Sequence, residues 1–347
     1  MKAAIFYGPG KRLVVEDRDM PKAGPGEIVV QVAACGICHT DLHYLDHGVP
    51  TFAKPPLILG HEISGIISEV GVGSERWKIG DSVLIPAVLS CGKCHMCRLG
   101  RENLCEKSTM LGNHIDGGFA EFICVLEKDV VALPAGLPLE EACLIADAVS
   151  TPYHAVIRRG EVTLGDRVVV FGCGGVGINV IQVAAAVGAQ VWAVDTRSDR
   201  LELARQFGAA HCIDASSTSD VARYVRRQMD GGCDVAFEVI GKPQTIRTAL
   251  DSVRRGGRVV VVGFSAESVN LPAGKIMFSE LEIRGSLGCR PVDYPGIIEL
   301  VRSGKLRLAE LVTGRVSLAD INDGLDSLRN GEGLRTIVIP SMPRGGA

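Results

Sequence analysis

The sequence predicts an α/β protein of two domains, one built on a doubly wound parallel sheet and the other rich in short β-strands. The chain has 347 residues, which exceeds one typical domain. From about residue 165, strand-like apolar runs alternate with helix-like runs, an order typical of parallel sheets. Before about residue 130, short apolar runs are interrupted by Gly and Pro, which indicates short strands joined by turns.

The elements follow from near-continuous Val and Ile runs, which strands buried on both faces require, and from the helix-like segments between them. In the first part of the chain we expect strands within 27–36, 63–71 and 81–89. In the second part we expect strands at 167–172, 190–195, 233–241, 258–264 and 335–339, and helices at 177–188, 198–209, 244–257, 293–306 and 317–332.

The composition of the chain indicates which kinds of partner the protein does not bind. The apolar share of 46%, the charged share of 22% and the net charge of −3 are ordinary for a globular protein and favour neither nucleic acid nor an anionic membrane. The uncharged run 168–194 is broken by glycines and polar residues, so we do not interpret it as a membrane span. The N-terminus does not resemble a signal peptide, and we predict a cytoplasmic protein with no nucleic-acid or membrane partner.

A glycine-rich turn, Gly172-x-Gly174-x-x-Gly177, follows a predicted strand and opens a predicted helix. These glycines permit a tight turn, approach of a pyrophosphate and close helix–strand packing, as in the Rossmann dinucleotide fold. Asp195 ends the next strand, where a carboxylate accepts the ribose hydroxyls and repels a 2′-phosphate. We therefore predict NAD as cofactor, bound by the glycines together with Gly175, Val176, Asp195 and Arg200.

Two alternatives stay open at this turn. Arg197 and Arg200 lie close to Asp195 in the sequence, and such residues accommodate NADP. A glycine-tolerant α/β turn that binds no nucleotide is the other alternative.

Four of the twelve cysteines fall within residues 91–105, "CGKCHMCRLGRENLC". In a chain without a secretion signal, clustered cysteines indicate metal binding before disulfides. Four thiolates close a tetrahedral structural zinc site. An iron–sulfur cluster is the alternative, but its usual run places the fourth cysteine closer and follows it with proline. We predict structural zinc held by Cys91, Cys94, Cys97 and Cys105.

A second constellation lies in "ACGICHTDLHYLDHG" and "LILGHEISG", which supply Cys38, His39, Thr40, Asp41, His43, His61 and Glu62. A catalytic zinc needs about three protein ligands and one open position. Each residue alone also fits an ordinary role: Cys38 as a core thiol, His61 as a buried imidazole, Glu62 as a surface carboxylate.

Together with the cysteine segment, "DGGFAEF" at 116–122, the glycine turn and the closing "LRTIVI", these motifs resemble the zinc-dependent medium-chain alcohol dehydrogenases. The resemblance covers the whole chain. It implies a GroES-like catalytic domain over 1–148 with the zinc lobe at 91–105, a Rossmann NAD-binding domain over 149–287, and a return to the catalytic domain over 288–347.

The resemblance also implies roles for single residues. Cys38 and His61 would bind catalytic zinc, with Glu62 behind the metal or transiently on it. Thr40 would take the proton of the alcohol and His43 would pass it towards solvent. Three further roles are implied: Asp41 would orient His61, His39 and Arg335 would contact the cofactor pyrophosphate, and Thr151 would lie beside the nicotinamide.

Asp147 departs from the commonest family pattern, in which a cysteine two residues before the "ST" pair is the third zinc ligand. A carboxylate is a normal zinc ligand, so we predict that Asp147 takes this place. Glu62 or Cys143 as third ligand, and a site without zinc, are the alternatives.

The predicted function is zinc- and NAD-dependent oxidation of an alcohol to its aldehyde or ketone, with one catalytic and one structural zinc per chain. Ala87, a small residue in a stretch that lines the substrate pocket of relatives, suggests a bulky or cyclic secondary alcohol, unless other side chains fill the space. One alternative is reduction of a conjugated carbonyl or acyl-thioester, and another is a nucleotide-binding protein without turnover. The resemblance implies a homo-oligomer, dimer or tetramer.

Overall fold

The computed structural model describes residues 1–342, so the end of the predicted 288–347 segment lies outside the described residues. The described chain divides into two compact units. The first comprises Met1–Asp147 together with the chain from Arg290, and the second comprises Ala148–Cys289.

The strands, in chain order, are β1 Lys2–Phe6, β2 Val14–Asp17, β3 Glu27–Gly36, β4 Leu57–Ile58, β5 Glu62–Val70, β6 Ser82–Ile85, β7 Val88–Leu89, β8 Thr109–Met110, β9 Phe122–Leu126, β10 Val131–Ala132, β11 Arg167–Phe171, β12 Gln190–Asp195, β13 His211–Asp214, β14 Cys233–Glu238, β15 Val253–Val261, β16 Glu282–Gly285, β17 Val312–Ser317 and β18 Arg335–Ile339.

The α-helices are α1 His39–Leu45, α2 His95–Arg98, α3 Leu139–Ala142, α4 Ser150–Tyr153, α5 Gly175–Val187, α6 Ser198–Gln206, α7 Val221–Gln228, α8 Pro243–Ser252, α9 Ala273–Phe278, α10 Tyr294–Arg302 and α11 Ile321–Arg329. Short 3₁₀ turns lie at Glu102–Leu104, Glu127–Asp129, Cys143–Ala146, Pro291–Asp293 and Ala309–Leu311, and a π-helical segment spans His154–Arg159.

The first unit is built around β3, the longest strand of the described chain. β3 pairs antiparallel with β5, β9 and β18, and the sheet runs in the order β10-β6-β5-β3-β18-β17. A smaller sheet has the order β2-β1-β4. Apolar side chains of β3 and β5, among them Ile28, Val30, Ile63 and Ile67, are fully buried and form the core of this unit. The β-rich domain predicted from the first part of the chain is confirmed.

The second unit contains a parallel six-stranded sheet in the order β13-β12-β11-β14-β15-β16. Consecutive strands run outward from β11 in one direction through β12 and β13, and in the other through β14 to β16. The reversal point between β11 and β14 is where doubly wound sheets bind their ligands, beyond the carboxyl ends of the strands. The predicted doubly wound parallel sheet is confirmed.

One predicted element is wrong over part of its length. The helix expected at 244–257 ends at Ser252, and residues 253–257 belong to β15. Val253 is already extended and pairs with Cys233, and Gly256 has a φ of +68°, which a helix does not accommodate. In the second unit, the helices α4, α7 and α9 and the strands β13 and β16 had no prediction, and neither had several short elements of the first unit.

No helix within residues 1–342 is both long enough and apolar enough to cross a membrane. The uncharged run 168–194 consists of most of β11, α5, most of β12 and the turns between them, as its glycines and polar residues predicted.

Candidate active site

Sheet register brings two distant motifs of the first unit together. β3 ends at Gly36 and β5 begins at Glu62, and these two residues are paired across the antiparallel ladder. Cys38 follows the end of β3 as the N-cap of α1, and His61 immediately precedes β5. The cysteine and the histidine therefore meet at one end of the same strand pair.

Asp147 completes this cluster with Cys38, His61 and Glu62. One ligand atom from each of the four residues lies within 4.8 Å of those of the other three. Asp147 follows the 3₁₀ turn Cys143–Ala146, and its Oδ2 lies 3.7 Å from Nε2 of His61. The carboxylate that is unusual in "CLIADAVST" thus faces a buried imidazole.

The imidazole of His61 is buried, and neither ring nitrogen has a hydrogen-bond partner within the described chain. A buried imidazole without partners is costly, and a metal ion bound at Nε2 removes that cost. Burial works against a charged His61, but Asp147, Cys38 and Asp41 raise its pKa well above the ordinary value. The excess negative charge around the ring, with sulfur, nitrogen and oxygen donors together, fits a zinc ion.

Glu62 is buried beside this group and is held by Arg335. The Nη1 of Arg335 donates to Oε1 of Glu62 at 3.2 Å, while Oε2 has no hydrogen-bond partner in the described chain. Arg335 reaches this position because β18, which it begins, pairs with the end of β3. Burial raises the pKa of Glu62 to about 7, against the opposing charge of Arg335.

Asp41 stabilises the start of α1 by a hydrogen bond to the backbone. Its Oδ2 accepts the backbone N–H of Cys38 at 2.9 Å, which fixes the entry into the helix. Its Oδ1 lies 3.8 Å from Nδ1 of His61, too far for a hydrogen bond. Asp41 was predicted to orient His61. In the structure the two side chains interact electrostatically without a hydrogen bond, and the other carboxylate oxygen of Asp41 is bonded to Cys38.

Helix α1 places the remaining predicted residues of this motif. Thr40 Oγ1 lies 3.7 Å from the sulfur of Cys38. His43, about one turn later, is partly buried, and its Nδ1 lies 3.0 Å from Nδ1 of His47. Burial and the neighbouring His47 lower the pKa of His43. His39 opens the helix and is exposed.

Cys143, an alternative third ligand, lies outside the four-residue group formed within the described chain. Its thiol is buried, and burial raises its pKa well above the ordinary value. A buried protonated thiol in an apolar turn is a poor metal ligand. Of the candidates for the third position, Asp147 and Glu62 are the two that the structure brings to Cys38 and His61.

The four cysteines of residues 91–105 converge in the first unit. Their sulfurs lie within 4.8 Å of one another, with separations of 3.5 Å for Cys94–Cys97, 3.8 Å for Cys94–Cys105 and 4.0 Å for Cys91–Cys97. Four sulfurs about 2.3 Å from one zinc ion in a tetrahedron lie about 3.8 Å apart. Backbone N–H groups of Lys93 and Cys94 lower the pKa of Cys91 to about 6, which favours the thiolate form of this residue.

In the second unit, the glycine turn has the shape that a pyrophosphate needs. Gly172 has a φ of +97°, which favours glycine. A Cβ on Gly177 would lie 1.8 Å from the carbonyl oxygen of Gly172, so helix and strand approach closely here. A Cβ on Gly174 would meet no atom within 4 Å, so the space above the N-terminus of α5 is open. Gly175 and Val176 form the first turn of this helix.

Asp195 ends β12 beside this turn. Its Oδ2 accepts the backbone N–H of Cys173 at 2.7 Å, and its Oδ1 accepts that of Arg197 at 3.0 Å. Each oxygen retains acceptor capacity for a ribose hydroxyl. Arg197 is paired with Asp199, whereas Arg200 is buried in α6, where burial lowers its pKa. Thr151 lies in α4 of the same unit.

These features define a class of protein: an oxidoreductase with a nicotinamide nucleotide fold, a closed four-cysteine metal site and a second, mixed-ligand metal site. Comparison with known proteins agrees. The pattern of the alcohol dehydrogenase GroES-like domain matches residues 24–135, and that of the zinc-binding dehydrogenases matches residues 175–303.

Individual relatives match over nearly the whole chain. An alcohol dehydrogenase of Geobacillus stearothermophilus is 36% identical over 96% of this chain and 97% of its own. The structure of an alcohol dehydrogenase from Thermus sp. ATN1 matches with a TM-score of 0.91 and 32% identity, over 98% of this chain and 99% of that one. The structure of 2R,3R-butanediol dehydrogenase from Bacillus subtilis matches with a TM-score of 0.90, 32% identity and the same coverage.

The chain belongs to the zinc-dependent medium-chain alcohol dehydrogenase family, as its motifs predicted. It is an oxidoreductase that acts on the CH–OH group of alcohols with zinc and a nicotinamide cofactor. The names of these relatives do not favour the alternative of a reductase for conjugated carbonyls.

Two features of the site escaped the sequence analysis. Gly36 leaves space for Glu62, because a Cβ there would lie 2.1 Å from Glu62 Oε2. His47 touches His43 beyond the end of α1. The glycine within "CGIC", Gly36, was visible in the sequence, but its role depends on strand register. The spacing of His43 and His47, four residues apart, was a usable signal.

Proposed function

We propose that this chain oxidises secondary alcohols with NAD at a zinc ion held by Cys38, His61 and Asp147. The observation that supports this most directly is the buried His61, whose Nε2 faces the carboxylate of Asp147 at 3.7 Å and has no hydrogen-bond partner among the described residues. Zinc, when bound there, polarises the alcohol oxygen and favours loss of its proton. NAD, when bound, accepts the hydride.

Other residues around the site position the metal ligands and transfer the proton. Asp41 fixes the backbone of Cys38, and Arg335 holds one carboxylate oxygen of Glu62 while the other stays directed into the site. Thr40, adjacent to Cys38, accepts the proton of the alcohol, and His43 passes it towards solvent. We propose that Glu62 stands behind the metal, since its bond to Arg335 restrains it.

For the cofactor, we propose that Gly172, Gly174, Gly175, Val176 and Gly177 hold the pyrophosphate. Asp195 accepts the ribose hydroxyls, which favours NAD over NADP. We propose Thr151, Arg200, His39 and Arg335 as further cofactor contacts. The proposed domain boundaries are those of the sequence: 1–148 and 288–347 for the catalytic domain, 149–287 for the NAD domain.

The proposed substrate class rests on Ala87 and on one relative. Ala87 is a small, buried residue between β6 and β7, in the stretch expected to line the pocket. The Bacillus relative is named for butanediol, a secondary alcohol. We also propose a homo-oligomer, dimer or tetramer, since the six-stranded sheet ends in the edge strand β16. The cytoplasmic location stays a prediction.

Metal analysis of Asp147→Ala tests the ligand set. We expect about two zinc ions per wild-type chain and about one in the variant, with activity on an alcohol panel largely lost, because the catalytic ion loses a ligand. Cys143→Ala is the matched control, since Cys143 lies four residues away outside the group, and should keep both ions. Two zinc ions retained in Asp147→Ala would remove this residue from the ligand set.

A further inference from the structure

Two histidines lie in contact at the solvent side of α1. Nδ1 of His43 is 3.0 Å from Nδ1 of His47, and the ring centroids are 5.2 Å apart. At this distance one nitrogen donates and the other accepts, so a single proton lies between the rings. His43 is partly buried and His47 is exposed, which gives the pair an inner and an outer member.

The segment that carries His47 is held in place by several contacts. Asp46, the C-cap of α1, accepts from Nε and Nη2 of Arg329 on α11 at 2.7 and 2.9 Å. The backbone N–H of Val49 donates to the carbonyl of His43 at 3.0 Å. Gly48 makes the turn with a φ of +66°. His47 is thereby fixed against His43 although its own side chain is exposed.

The surroundings of His43 and His47 favour proton transfer from His43 towards solvent. Burial and the proximity of His47 lower the pKa of His43, so that its ring is neutral at pH 7 and able to accept a proton. The carboxylate of Asp46, the residue before His47, is paired with Arg329. An exposed imidazole exchanges protons readily with water and buffer.

We propose that His47 is the outer station of the proton relay, taking the proton from His43 and giving it to solvent. This rests on the proposed function, in which His43 receives the proton of the alcohol. In each transfer His43 gains a proton at Nε2 and gives the proton on Nδ1 to Nδ1 of His47. His47 then loses its Nε2 proton to water, and both rings return to their first tautomers by solvent exchange.

The test compares His47→Gln with wild type and with His43→Ala in the zinc-loaded enzyme. Glutamine can still hydrogen-bond to His43 but cannot carry a proton. In stopped flow, NADH absorbance reports hydride transfer and a pH indicator reports proton release. We expect His47→Gln to lower kcat/KM for alcohol oxidation by about tenfold at pH 7, less than the 10²–10⁴ of a residue acting at the reacting group. Its proton release should lag behind NADH, and added imidazole should remove the lag.

The matched control is His211→Gln, which alters an exposed histidine of β13 and should leave rates and proton release unchanged. A wild-type rate in His47→Gln with a slow His43→Ala would overturn the outer station while leaving the proposed relay intact. A slow His47→Gln whose proton release keeps pace with NADH, without response to imidazole, would also overturn it. A wild-type rate in His43→Ala would refute the relay in the proposed function, and the outer station with it.

Discussion

At the scale of single residues, the metal centre depends on groups that the sequence reveals unequally. Cys38 and His61 stand in recognisable motifs, so their roles could be predicted without coordinates. Asp147 could be predicted only as a departure from a family pattern, because nothing in "CLIADAVST" shows what the carboxylate faces. Its position opposite His61 Nε2 follows from the turn at Cys143–Ala146, which the sequence does not specify.

Gly36 is the residue whose role only the register reveals. A Cβ there would lie 2.1 Å from Oε2 of Glu62 and 3.0 Å from its Cδ. Because Glu62 is buried and bonded to Arg335, its carboxylate cannot swing into solvent. We expect Gly36→Ala to lower the free energy of unfolding by about 1 to 3 kcal/mol, as for overpacked cores, measured by urea denaturation.

Two further variants define the cause of this loss. Gly274→Ala adds the same methyl group in α9, where a Cβ meets no atom within 4 Å, and should not destabilise the protein. Glu62→Asp, shorter by one methylene, should recover part of the stability when combined with Gly36→Ala. Equal stability of Gly36→Ala and wild type would show that the contact with Glu62 imposes no constraint.

At the scale of elements, prediction succeeded where strands are long runs of Val and Ile and failed where they are short or polar. β11 and β12 lie in the sheet interior and were predicted closely. β13 and β16 are the two edges of that sheet, and their sequences, "HCID" and "EIRG", contain few apolar residues. Edge strands need less apolar surface, so the signal on which the prediction relies is weak there.

Asp234 on β14 illustrates an interaction that links two elements and responds to pH. Its carboxylate accepts the backbone N–H of Arg167 at 2.7 Å and Nε of Arg254 at 2.5 Å. Burial opposes ionisation, but these donors and the two guanidinium charges leave its pKa below the ordinary value. A carboxylate with a lowered folded-state pKa stabilises the fold above its unfolded pKa of about 3.9 and loses this effect as pH falls through the folded value.

We therefore expect Asp234→Asn to lower the free energy of unfolding by about 1 to 2 kcal/mol at pH 7, reduced by solvent screening of Arg254. The difference from wild type should shrink as pH falls below about 4, followed by urea unfolding at several pH values. Asp199→Asn, in the exposed pair with Arg197, should cost less than about 0.5 kcal/mol. A pH-independent difference for Asp234→Asn would show that the charge of Asp234 is not responsible.

At the scale of the whole molecule, the sequence predicts the domains and the protein family better than it predicts how copies of the chain associate. The glycine turn, the cysteine segment and the "GHE" motif identify the family because each requires particular residue types at a particular spacing. How the copies of the proposed homo-oligomer would associate depends on exposed side chains, and no spacing rule specifies these. The structure shows the edge strand on which that proposal rests: β16, which ends the parallel sheet of the second unit.

The proposed homo-oligomer makes a prediction about this edge. Ile283 on β16 is 39% exposed and Leu287, just beyond it, is 63% exposed, and β16 is the edge strand of the sheet. Pairing of two such edges would continue the sheet across two copies and bury both side chains.

We expect light scattering to give a multiple of 36.8 kDa for wild type and a smaller assembly for the double variant Ile283→Arg/Leu287→Arg. Leu164→Arg, at a residue 83% exposed elsewhere in the same unit, should leave the mass unchanged. An unchanged mass in the double variant would place the interface elsewhere.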